Sequence, residues 1–171
     1  MTGDTALTLS GPALLTAWSA RGLSHSLRPV KRTETWRDLE GTLHAASLPG
    51  SKYALSVEGS DVRPPAFAAL WPGATLTVEP AQALAVTLEP GVDTVTLERD
   101  PAVGSVTAET VAGAPHGVTG VSGRTVTVEP HPEGRVTVRY RPVLSMMVTD
   151  WSTSLAEWDG KAPWSLSLEE V

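Results

Sequence analysis

A mainly β fold with one or two short helices is what this sequence predicts, and three observations predict it. Its 171 residues include 20 Thr and 19 Val, β-branched residues that suit a pleated, half-buried surface better than a helix. The 15 Gly and 14 Pro punctuate the chain and form no low-complexity tract. Between these breaks apolar and polar residues alternate, the period of a strand with one face in the core.

The elements follow in chain order. Residues 13–20 are a short helix candidate, since Leu14, Leu15 and Trp18 share a face at helical spacing. Residues 53–58 alternate as a strand. Residues 64–71 are the second helix candidate, because Pro64 and Pro65 pre-set its first positions and Pro72-Gly73 stops it. In 74–79, Leu76 and Val78 fall on one face and Thr75, Thr77 and Glu79 on the other. Residues 95–98 and 125–129 repeat the pattern. Val136, Val138 and Tyr140 should point inward, with Arg135, Thr137 and Arg139 outward. Residues 164–169 alternate as cleanly. Thr-Val-Glu-Pro or Thr-Leu-Glu-Pro occurs at 77–80, 87–90 and 127–130, but the unequal spacing fits strands ending at a Pro, not a repeat fold.

Aromatic residues divide the chain. They cluster before residue 72 and from Tyr140 onward, leaving the middle without Trp, Tyr or Phe. Because aromatics carry the largest burial per residue, the expected organisation is an N-terminal arm (1–21), a β core from 22–88 and 136–171, and an inserted β-lobe at 89–135. A single continuous sandwich is the competing arrangement.

Charge and composition exclude several classes of function. Thirteen Lys and Arg face 19 Asp and Glu, for a net charge of −6, which argues against coating nucleic acid by neutralising phosphates. The absence of Cys removes disulfides, thiolate metal sites and a cysteine nucleophile. No run of 18 apolar residues and no secretory leader is visible, so no membrane partner is expected.

Catalytic signatures are missing: no phosphate loop, no nucleophile elbow, no His-Glu-x-x-His. His25, His44, His116 and His131 are dispersed. His116 and His131 sit in Gly/Pro-rich turns and read as solvated loop histidines, so no metal and no cofactor is expected. Glu157 with Asp159, and Glu169 with Glu170, are the paired carboxylates available for acid/base work, and such spacing does not converge on a substrate. The expectation is a non-enzyme.

Two groups remain as candidate subunit contacts. Arg28, Lys31, Arg32 and Arg37 surround Trp36, with Glu34, Asp38 and Glu40 interleaved. A mixed-sign strand suits a protein contact that fixes register better than a polyanion site. Trp151, Trp158 and Trp164 lie in an apolar, Met-containing stretch that suits a core or a subunit interface. Exposed on the loop they flank, Trp158 and Trp164 would instead suit sugar binding.

Two blocks, 52–73 and 140–171, carry a resemblance. Lys52-Tyr53-Ala54-Leu55-Ser56-Val57-Glu58 with Leu70-Trp71-Pro72-Gly73, and Tyr140-Arg141-Pro142-Val143-Leu144 with Trp164-Ser165-Leu166-Ser167-Leu168, resemble structural tail proteins of long-tailed bacteriophages. The resemblance implies a split β-barrel or β-sandwich that closes into a ring, usually six-fold, of the tail tube or tail tip. It also implies copies of itself and other tail proteins as partners, DNA passing without specific binding, and a place in the virion after assembly in the host bacterial cytoplasm. The longer helix common in tube proteins has no counterpart here. A capsid or connector protein of the same virion, and a carbohydrate-binding β-sandwich, are the alternatives.

Overall fold

The computed structural model describes residues 7–10, 22–30, 33–47, 51–63, 65–67, 69–131, 133–155, 158 and 160–171. Fifteen strands appear among them: β1 (Thr8–Ser10), β2 (Ser24–Pro29), β3 (Thr33–Arg37), β4 (Leu43–Ser47), β5 (Tyr53–Asp61), β6 (Thr75–Glu79), β7 (Leu84–Leu88), β8 (Thr94–Thr96), β9 (Thr107–Thr110), β10 (Pro115–His116), β11 (Val118–Ser122), β12 (Thr125–Val128), β13 (Val136–Tyr140), β14 (Leu144–Thr153) and β15 (Ala162–Glu170). Every alternating run singled out in the sequence lies in or overlaps one of them.

The strands form a six-stranded sheet in the order β1-β6-β14-β15-β5-β2, a four-stranded sheet β10-β9-β13-β7, a three-stranded sheet β11-β12-β8 and the separate hairpin β3-β4. All of these pairs are antiparallel, and the sheets include a curled half-barrel. The mainly β class follows directly from the alternation.

On the six-stranded sheet the apolar residues of each strand share one face. Leu55 and Val57, Leu76 and Val78, Leu144, Met146 and Val148, and Trp164, Leu166 and Leu168 are buried together with Leu7, Phe67 and Leu70. Phe67 meets the edges of Trp151 and Trp164, at centroid distances of 5.7 and 5.4 Å, the T-shaped geometry that aromatic quadrupoles favour.

Phe67 and Leu70 lie in the segment expected to be a helix. No helix forms among its described residues, where Phe67 N–H donates to Pro65 O (3.0 Å) and Leu70 N–H to Phe67 O (2.8 Å). A stretch this short does not recover the cost of nucleating a helix. Tertiary contacts decide its shape, since Phe67 and Leu70 both plug the core and Trp151 Nε1–H donates to Leu70 O at 2.5 Å. The helix candidate at 13–20 lies outside the described residues.

A second core joins Leu88, Leu97, Ala108, Val126, Val128, Val136, Val138 and Tyr140. The inward set expected on β13 is buried as the alternation required, with Arg135 and Arg139 exposed. β13 pairs with both β7 and β9, so strands 84–88 and 136–140 contribute to this second core.

Between the two cores run a Pro101–Pro142 bridge, the bonds Ala102 N–H to Arg141 O and Val143 N–H to Asp100 O (2.8 Å each), and an ion pair from Arg99 to Glu170.

Candidate functional site

Hairpin β3-β4 is the element whose burial departs most from the rest of the fold. Five residues pair in register, from Thr33↔Ser47 to Arg37↔Leu43, and every residue from 34 to 46 is exposed. One face carries Glu34, Trp36, His44 and Ala46; the other carries Thr35, Arg37, Leu43 and Ala45. A two-stranded hairpin with neither face packed is marginally stable in water, so local interactions must hold this one.

They are concentrated at its tip. Asp38 N–H donates to Thr42 O (3.1 Å) and Gly41 N–H to Asp38 O (3.0 Å). Gly41 adopts φ +84°, a left-handed conformation that suits glycine. Asp38 Oδ1 accepts from the backbone of Glu40 (3.0 Å) and Thr42 (2.9 Å), and Oδ2 lies 2.8 Å from His44 Nε2. The His44 bond, with the Thr42 amide next, holds the Asp38 carboxyl below its ordinary value. His44 in turn stacks on Trp36, with centroids 5.7 Å apart and planes 20° apart. Arg37 Nη1 donates to Gly41 O at 2.7 Å. Trp36 is still 52% exposed, and Leu39 at the tip and Leu43 on the opposite face also project into solvent.

The candidate contact residues separate into three places. Trp36 and Arg37 stand on this hairpin, and Arg28 is exposed on β2, the edge of the six-stranded sheet that precedes it. Lys31 and Arg32 lie outside the described residues. Trp158 is fully exposed in the connection between β14 and β15, whereas Trp164 is 4% exposed and Trp151 half-buried, both packed on Phe67. Trp164 therefore offers its ring to the core and to Gly59, its cross-strand partner.

Of the paired carboxylates, Glu157 and Asp159 lie outside the described residues. Glu169 and Glu170 are neighbours on a strand and point to opposite faces. Glu170 is held by Arg99, at 2.5 and 3.1 Å, and accepts from Tyr53 N–H at 3.0 Å.

Sequence reasoning missed two histidine arrangements. His44 and Asp38 meet because the hairpin loop folds them together. His116 and His131 are fifteen positions apart, yet their rings lie 5.7 Å centroid to centroid. His131 is 5% exposed, which corrects its reading as a solvated loop residue. Pairing of β11 with β12 makes the residues just beyond the open end of that hairpin neighbours, and the sequence pattern showed only β12 of the two.

No protein-family model matches this chain, and no curated protein is significantly similar to it.

Proposed function

We propose that this chain is a structural subunit that joins copies of itself through hairpin 33–47. Following the resemblance of its two blocks, we place it as a ring-forming protein of a long-tailed phage tail, in the tube or at the tip. One observation carries the reading: a hairpin with both faces in solvent, bearing Trp36, Leu39 and Leu43, which follows in the chain β2, an end strand of the six-stranded sheet among the described residues. Such edges and apolar tips are an aggregation hazard in a monomer and are satisfied in a closed assembly.

The outer face of the six-stranded sheet fits a passage for DNA. Cross-strand rows Ser26–Ser56–Ser167 and Ser24–Glu58–Ser165–Ser152 present short, hydrated side chains, with Ser152 and Ser165 hydroxyls bonded at 2.8 Å. A wall dominated by hydroxyls and carboxylates, with Arg28 a cation at its β2 edge, on a chain of net charge −6, offers phosphates little charge to neutralise. The partners in this reading are further copies, other tail proteins and DNA in transit, and the location is the virion.

Fully exposed Trp158 favours the second reading, a carbohydrate-binding β-sandwich.

Negative-stain electron microscopy and light scattering across a concentration series test the proposal. Rings or tubes about 100 Å across are the scale for several domains of this size. Replacing Trp36 and Leu43 together with Ser removes two anchors of about 2 kcal/mol each, roughly thirtyfold apiece in affinity, and should leave monomers. A wild-type chain that stays monomeric at every concentration overturns the reading. Glycan binding lost in Trp158→Ala would then favour the alternative.

A further inference from the structure

We propose that His116 and His131 form a two-imidazole site for a divalent transition-metal ion of the zinc class, independent of the assembly surface. The fold brings them together. β11 and β12 pair with Val118 opposite Val128, and Glu129 N–H donates to Gly117 O at 2.9 Å. The residues just beyond, His116 and His131, then flank the open end of the hairpin, with their rings tilted 45° to each other. They border a cleft of about 440 Å³ whose wall also includes Thr110, Glu133 and Arg135.

His116 is anchored in a way that leaves one ring nitrogen for a metal. Its Nε2 lies 2.9 Å from Glu129 O, and a carbonyl only accepts, so Nε2 carries the hydrogen. In the neutral ring Nδ1 is then a free lone pair. Metal-binding histidines are typically anchored this way, by a backbone carbonyl on the other nitrogen.

His131 supplies the second, independent observation. Its ring is buried, and among the described residues neither Nδ1 nor Nε2 has a hydrogen-bond partner. Orphaned buried polar groups are destabilising and call for an explanation. The backbone at this position is held, since His131 O accepts from Gly91 N–H at 3.1 Å. A ligand that takes a nitrogen lone pair satisfies this ring where it stands.

Distance and charge point to a cation. With metal–nitrogen bonds of about 2.0–2.1 Å, two imidazoles on one tetrahedral ion have ring centres roughly 5 Å apart. The observed centroid separation of 5.7 Å is within an ångström of that value. Arg135, the cation on the cleft wall, is neutralised by Glu89 at 2.9 Å, while Glu133 adds negative charge. Imidazole donors select zinc-class ions over magnesium or calcium. Among the described residues no group of three His, Asp or Glu is assembled as a ligand set, so water from the cleft, or Glu133 after a loop adjustment, completes the shell.

Titration of the metal-free full chain with zinc chloride, followed by calorimetry and by imidazole ¹⁵N shifts, tests the site. The expected result is saturable 1:1 binding that moves the signals of His116 and His131 together and raises Tm. His116→Ala and His131→Gln should each weaken it by at least about tenfold, whereas His44→Gln leaves it unchanged. His116→Ala keeps the proposal testable if His131 variants unfold, because His116 is the less buried ring. Absence of saturable binding, equal binding of magnesium, or binding that survives His116→Ala overturns it.

Discussion

The ion pair between Arg99 and Glu170 should contribute measurably to stability, because it is both shielded and shared. Arg99 follows β8 in the chain and reaches the end of β15. Its Nε lies 2.5 Å from Glu170 Oε1 and its Nη2 3.1 Å from Oε2; Nη2 also donates to Ser51 O at 2.5 Å and Nη1 to Glu98 O at 3.1 Å. The guanidinium stands 5.7 Å from the centre of the Tyr53 ring. The side chains are 19% and 7% exposed, against 59% and 61% for Arg135 and Glu89. Exposed pairs contribute about 0–1 kcal/mol, whereas breaking a fully buried one costs about 3–5 kcal/mol. A pair this far from solvent belongs between, so Arg99→Met or Glu170→Gln should each cost about 2–3 kcal/mol. At roughly 2–4 °C per kcal/mol for a chain of this size, Tm falls by about 4–12 °C. Urea denaturation read by tryptophan fluorescence and a thermal melt read by circular dichroism measure both quantities. The double variant should show a coupling of at least about 1.5 kcal/mol. Single costs below about 1 kcal/mol that simply add would refute the reasoning, placing the pair among ordinary surface ones.

Three further outcomes follow from the geometry. A Cβ on Gly59 would stand 2.7 Å from two carbons of the Trp164 ring, so Gly59→Ala should destabilise by about 1–3 kcal/mol through overpacking, measured by the same urea titration. Burial raises the phenol pKa of Tyr140 and of Tyr53 above 10.0, with Glu98 a second cause at Tyr53. A raised folded pKa means this stability is complete below pH 10 and is lost as pH climbs through the folded values; phenolate absorbance of the native chain should rise later than that of the denatured chain. Asp38 has the opposite sign: its folded pKa is lowered from 3.8, so the hairpin tip keeps its order above that value and loses it as pH falls through the lower folded one. The Trp36 indole signal in NMR reports that loss, and Asp38→Asn should abolish the acid transition.

What the sequence disclosed is what local patterning controls. Leu166 and Leu168, or Val136 and Val138, declare their face by alternation alone, and the strands that hold them form where the pattern puts them. The segment 64–71 defeated the same reasoning, since its turns are set by Phe67 and Leu70 entering a core assembled from strands far away in sequence. Trp164 was ambiguous for a related reason. A tryptophan in an alternating run is equally suited to a core and an interface until its cross-strand neighbour is known to be Gly59, which vacates the space the ring fills. The histidines near 116 and 131 looked solvated because each turn was read alone. Register between β11 and β12 is a pairwise property, and only that pairing makes the two turns neighbours.

Local composition and tertiary environment disagree in two places, and the disagreements have opposite sign. On hairpin 33–47 one apolar ring and two leucines stand in water; at His131 a polar ring stands sealed from it. Both arrangements are destabilising for an isolated chain, and a sequence under selection for stability alone replaces Trp36 with a polar residue and His131 with an apolar one. Their presence is coherent if each is satisfied by something outside the chain, a neighbouring copy at the hairpin and a metal ion at the histidines. The two explanations are separable, because Trp36 and Leu43 substitutions should leave zinc binding intact and His116→Ala should leave assembly intact. Loss of both properties in either variant would show that a single global destabilisation, not two sites, underlies the pattern.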